Sequence, residues 1–168
     1  MTPELAEVSQ SLTPGELIEL FVLDLEPINV AVQYYFSPTR VLNYTIRFDG
    51  EEYAYAPMSF TGIERSLTGD PPNPKVLLPN TNKFATALVT QYDDLVGARV
   101  TRMRTYKDFL DGEPLADPTA YISKDIYTIE QKLHLGNSFG EFSIRLLYAL
   151  VNKYLPGRTC HKDLCSHR

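Results

Sequence analysis

Residues 44–57 read YTIRFDGEEYAYAP. Ile46 and Phe48 alternate with Thr45, Arg47 and Asp49. Asp49-Gly50 supplies a two-residue turn that tolerates positive φ, and Tyr53 and Tyr55 then alternate with small residues on the return. The stretch predicts a β-hairpin that Pro57 stops, because proline cannot donate to a strand ladder. A two-residue period is therefore the pattern to look for on either side of it.

Upstream, ELIELFVLDL (16–25) is apolar on both sides of a two-residue period, with Ile18, Leu20, Val22 and Asp24 on one side and Leu17, Phe21 and Leu23 on the other. That pattern predicts a strand buried on both faces. VQYYF (32–36) is a second short strand, ended by Ser37-Pro38. At the start, residues 3–10 predict a short helix, with Thr2 as N-cap and Pro3 at the first helical position.

Downstream, MSFTGIERS (58–66) predicts a strand with an irregularity at Gly62, and the three prolines of GDPPNPK (69–75) forbid regular structure. KVLLP (75–79) predicts a short strand. A helix follows from about Lys83 to Tyr92, capped by Asn80 or Asn82. Its helical spacing is carried by Phe84, Leu88 and Tyr92, or else by Ala87 and Gln91. Gly97 breaks to ARVTRMRTYKDFL, in which Val100, Arg102, Arg104 and Tyr106 share one face and Thr101, Met103 and Thr105 the other. After the loop DGEPLADPT (111–119), DIYTIEQKLHLGN (125–137) and EFSIRLLYAL (141–150) predict two strands around a turn at 136–140. The expected fold class is mainly β with one or two helices, a barrel or sandwich with a helical insertion. Three segments are expected: 1–15, a β domain at 16–155 carrying the helix at about 83–92, and a basic tail at 156–168.

The chain has 168 residues, 43% of them apolar, which is enough for one domain with a core of its own. A formal charge of −5 argues against nucleic acid or an anionic membrane as the main partner. No apolar run approaches the roughly 18 to 20 residues that span a bilayer, and the start lacks the basic and apolar regions of a secretory signal. Charge is uneven: residues 1–39 hold Glu4, Glu7, Glu16, Glu19, Asp24 and Glu26 with no Lys or Arg, whereas the end holds Lys153, Arg158, Lys162 and Arg168 against Asp163. The two ends could pair within one fold, pair between neighbouring copies, or be solvated separately.

Catalytic patterns are absent. There is no G-x-S-x-G, phosphate-cradling glycine loop or H-E-x-x-H, so the chain is not expected to be an enzyme. His134 reads as a half-buried strand histidine and Asp93-Asp94 as a solvated helix end. Arg102 and Arg104 need partners, because an unpaired buried guanidinium is costly. A carboxylate inside the fold, a neighbouring subunit and solvent are the choices, and a subunit or domain contact is the expectation.

The order of these signals carries more than any one of them. FDGEEYAYAP precedes a proline-rich loop and KVLLPN. Then come a helix, LVGARVTRMRTYKDFLD, ADP, and finally YLPGRTC. From about Glu16 to Cys160 this series resembles the minor tail protein L family of lambda-like, long-tailed bacteriophages. The resemblance implies a β-barrel related to phage tail-tube and hub domains. It also implies a structural role in the tail tip or baseplate, with assembly in the host cytoplasm. Its implied partners are further copies in a ring, taken as a trimer, the distal tail and the central hub. DNA would pass through the ring without sequence-specific binding.

The same resemblance frames the tail PGRTCHKDLCSHR (156–168), where both cysteines lie. Longer family members carry a cysteine-rich extension resembling a four-Cys iron–sulfur site, and here only Cys160 matches it. Four thiolates are not available in one chain. Three readings stay open: a free end without cofactor; a site for Zn or an iron–sulfur cluster formed by Cys160, Cys165 and His167 with a neighbouring chain; and a Cys160–Cys165 disulfide. His161 adjoins Cys160 too closely for both to bind one ion without strain.

Overall fold

The expected doubly buried strand forms β1 (Leu17–Asp24), in which Ile18, Leu20 and Leu23 are fully buried. The computed structural model describes Ala6 and residues 15–40, 45–62 and 74–147. β1 lies at the centre because both of its faces are apolar. It pairs antiparallel with β2 (Gln33–Ser37) on one side and β7 (Arg99–Tyr106) on the other.

The hairpin forms as its turn chemistry requires. β3 (Ile46–Phe48) and β4 (Glu51–Tyr55) pair in the register Ile46↔Tyr53, Arg47↔Glu52 and Phe48↔Glu51. Asp49 and Gly50 both take positive φ, 57° and 77°. That is the primed turn whose twist matches the strands. A Cβ at Gly50 would meet nothing within 4 Å, so only its backbone conformation is demanding. Gly50→Val should therefore cost about 1–2 kcal/mol from the left-handed conformation alone, read as a lower urea midpoint with an unchanged slope.

The remaining strands are β5 (Ser59–Thr61), β6 (Lys75–Pro79), β8 (Ser123–Leu135) and β9 (Phe139–Leu146). Hydrogen bonding orders the nine-stranded sheet β3-β4-β2-β1-β7-β8-β9-β6-β5. β4 lies near one end of this order and β5 at the other, yet only Ala56, Pro57 and Met58 connect them. So short a link makes the sheet curl until its ends approach. Phe60 of β5 accordingly stacks on Phe21 of β1, with ring centroids 5.1 Å apart.

Curling puts a core on each face of β1. Phe21, Leu23, Val100, Tyr127, Phe142 and Ile144 belong to the larger core. α1 (Phe84–Gln91) closes that core with Ala85, Leu88 and Val89. On the other face, Ile18, Leu20, Met103 and Leu110 pack with Ile46, Phe48 and Tyr53 of the hairpin.

Several expectations need correction. The helix bounds hold, but Ala87 and Gln91 are exposed, because Ala85, Leu88 and Val89 are the residues turned into the core. Asn80 holds the helix start from outside it, accepting the Thr86 N–H at 3.0 Å and donating to the Gly136 carbonyl at 2.6 Å. The third strand is short, ending at Thr61 before Gly62 turns with φ 70°. Beyond Gly62, residues 63–73 lie outside the described residues. So does the expected N-terminal helix except Ala6, which is helical.

Candidate functional site

On the face of β1 that bears Val22 and Asp24, the hairpin tip and the loop after β7 stand as two walls above the sheet. Between them lies a cleft of about 360 Å³. Val22, Thr101, Met103 and Ile126 form its floor, and Asp49, Glu51 and Tyr53 project from the hairpin. Arg99, Lys124 and Tyr121 lie on the opposite side.

Asp24 ends the apolar run of β1 and is buried, so it needs partners. It accepts the Glu26 N–H at 3.0 Å and faces the Arg99 guanidinium at 3.5 Å. The Tyr35 hydroxyl donates to Gln33 at 2.7 Å, and its ring meets Tyr53 edge-on at 5.4 Å. Lys124 lies 5.8 Å above the Tyr121 ring. Asp49 and Glu51 have no ion-pair partner among the described residues. Among the described residues, no histidine, cysteine or serine lines the cleft. It offers charge, aromatic edges and an apolar floor, which are means of holding a ligand or a chain segment.

Burial pushes the Tyr53 phenol well above its usual range, and neighbouring Tyr35 and carboxylates add to the shift. Burial also raises Tyr35, helped by Glu51, Asp24 and Asp49, and raises Tyr127. A raised phenol pKa means the folded state keeps a proton that the unfolded state releases above about pH 10. Stability should therefore be unaffected below that pH and fall as pH rises through it. Absorbance titration should show Tyr53, among the eleven tyrosines, ionising well after an exposed phenol, with Tyr35 and Tyr127 displaced in the same direction.

The opposite face of β1 carries the arginines. Arg102 pairs with Glu19, and Arg104 Nε donates to Ser123 Oγ at 2.8 Å. Both arginines thus have partners within the chain. β7 lies between β1 and β8, which sets Arg104 between Glu19 and Ser123, and Arg102 between Phe21 and Asp125. Two carboxylates of the acidic start, Glu19 and Asp24, meet Arg102 and Arg99 of β7. His134 is exposed rather than half-buried, because β8 is bulged there, and its ring lies 6.0 Å from Phe139. Asp93, Asp94 and Leu95 take positive φ, and Asp94 pairs with Lys132.

Cys160, Cys165 and His167, the candidate metal ligands, lie outside the described residues. Among the described residues no group of three or more His, Cys, Asp or Glu could hold a metal ion. With two cysteines in the chain, the donor set does not fit a four-thiolate cluster. No helix among the described residues is long and apolar enough to cross a membrane.

The cleft residues escaped sequence reasoning. Asp24 was the available signal, a carboxylate on an inward position of an apolar strand.

Residues 29–168 match the family described as phage minor tail protein L. Among solved structures, a chain of the virion of a native gene transfer agent particle is similar in fold, with a TM-score of 0.52 and 19% identity. The similarity covers 95% of this chain and 49% of that one. This chain thus spans about half the length of the structure it matches.

Proposed function

The chain belongs to the phage minor tail protein L family, and from that premise we propose that it is a tail-tip subunit joining the distal tail to the central hub. Its role in the phage tail is structural. In this reading several copies, taken as three, form a ring around the path by which DNA leaves. The family match over most of the chain carries the proposal, and the curled nine-stranded sheet supports it. The acidic balance suits a wall that DNA must pass without adhering, since like charge repels phosphate.

Two experiments test this reading. Antibody raised against the chain should decorate virions at the distal end of the tail by electron microscopy. Decoration along the tube, or on the head, would overturn the placement. Sedimentation of the purified protein with its neighbouring tail proteins should give a ring of defined copy number. A monomer under all conditions would remove the ring.

Cys160, Cys165 and His167 support a second, narrower proposal, a metal ion held between chains. Its measurement is iron, zinc and acid-labile sulfide in anaerobically purified assembly. The donor count predicts less than one iron–sulfur cluster per chain, and near-stoichiometric zinc would establish the shared site.

A further inference from the structure

We infer that the cleft between the hairpin tip and β7–β8 is the docking site of the chain's own basic segment, residues 148–168. Three observations converge on it.

The first is an unmatched charge. Asp24 is satisfied by Arg99 and the Glu26 N–H, and Lys124 is held over Tyr121. Asp49 and Glu51 remain at the cleft wall without an ion-pair partner among the described residues. Segment 148–168 holds Lys153, Arg158, Lys162 and Arg168 against Asp163 alone.

The second is the apolar floor. The floor of Val22, Met103 and Ile126 takes apolar groups, and the segment interleaves Val151, Tyr154, Leu155 and Leu164 among its cations.

The third is where the chain leaves the sheet. β9 pairs with β8 as far as Leu146↔Tyr127. β8 runs on through Ile126 and Lys124, both of which line the cleft. The chain therefore departs one strand spacing, about 4.8 Å, from the cleft floor. Reach is no obstacle, and proximity makes the chain's own segment the favoured occupant over that of a second copy.

Zero-length carbodiimide crosslinking of the full chain tests this. The reagent joins a lysine amine to a carboxylate as an amide and carries off the water as a urea. Digestion and mass spectrometry of the monomer band should recover Lys153 or Lys162 joined to Asp49 or Glu51. Lys132–Asp94, an ion pair of the fold, reports that the reaction has run. Yield of the tail crosslink should fall about tenfold at about 1 M salt, where the Debye length shrinks to about 3 Å. The paired change Asp49→Asn/Glu51→Gln removes exposed carboxylates only and should abolish the crosslink while Lys132–Asp94 persists. Tail crosslinks confined to the dimer band would overturn the proposal in favour of a second copy. Tail lysines joined elsewhere, or nowhere, while Lys132–Asp94 forms would overturn it outright.

Discussion

Phe21→Ala is expected to remove about 3–5 kcal/mol of stability. Phe21 is 1% exposed, so nearly all of its ring is lost to the core on truncation. It also sits where the curled sheet meets itself. Its ring lies 5.1 Å from that of Phe60, nearly parallel at 11°, and so ties the central strand to the far end of the strand order. Domains of this size are stable by about 5–15 kcal/mol, so the variant is expected to be partly unfolded at 37 °C. Urea unfolding followed by tyrosine fluorescence gives the number. Phe60→Leu separates two contributions, since it keeps an apolar side chain and loses the ring pair, worth about 0.5–1.5 kcal/mol. A loss below about 1 kcal/mol for Phe21→Ala would mean that the sheet is not closed through this contact.

Glu19→Ala is the second large effect, with an expected loss of about 2–3 kcal/mol. The partner left behind decides the magnitude. Arg102 keeps 17% side-chain exposure, its Nε is buried with no partner among the described residues, and its guanidinium lies 5.7 Å from the Phe60 ring. Removing Glu19 leaves that cation against the Phe60 ring and opposite Phe21, with Asp125 as the remaining carboxylate across the strand pair. The expected loss stays at the lower end for a broken buried pair because Glu19 is 31% exposed and water can approach the site. The double variant Glu19→Leu/Arg102→Met should regain most of the loss, since it leaves no charge to satisfy. A double variant as unstable as Glu19→Ala would show that the pair contributes through packing and not through charge.

These two sites mark the boundary of what the sequence makes legible. The hairpin could be read because Asp49-Gly50 and the alternation of Ile46 and Phe48 act within a few residues. The face assignments of β7 also hold: register sets Arg102 opposite Phe21 and Val100 opposite Leu23. Partners of Arg102 and Arg104 were not legible, because Glu19 is 83 residues away and pattern gives no strand order. The parallel contact of β2 with β4, Phe36↔Ala54, is hidden for the same reason. Leu95, fully buried at φ 61°, departs from local preference altogether. Leucine rarely adopts that region, and only the tertiary setting holds it there. The cleft is assembled from the hairpin, β1, β7, β8 and the loop between the last two, so no single window of sequence could outline it.

The pairing of β1 with β7 also bears on how the chain reaches this structure. Asp24 waits for Arg99, 75 residues later, and every strand beyond β7 in the order depends on that pairing. At bacterial synthesis rates near the top of about 5–20 residues per second, β1 leaves the ribosome several seconds before its partner exists. Until then its apolar faces are open, and closure must overcome the entropy of a long loop. Folding is thus expected to begin with the local β3–β4 and β8–β9 hairpins and to finish late. Refolding is expected to take milliseconds to seconds rather than microseconds. The nascent chain's vulnerable interval is set by the distance in sequence between two strands that end side by side.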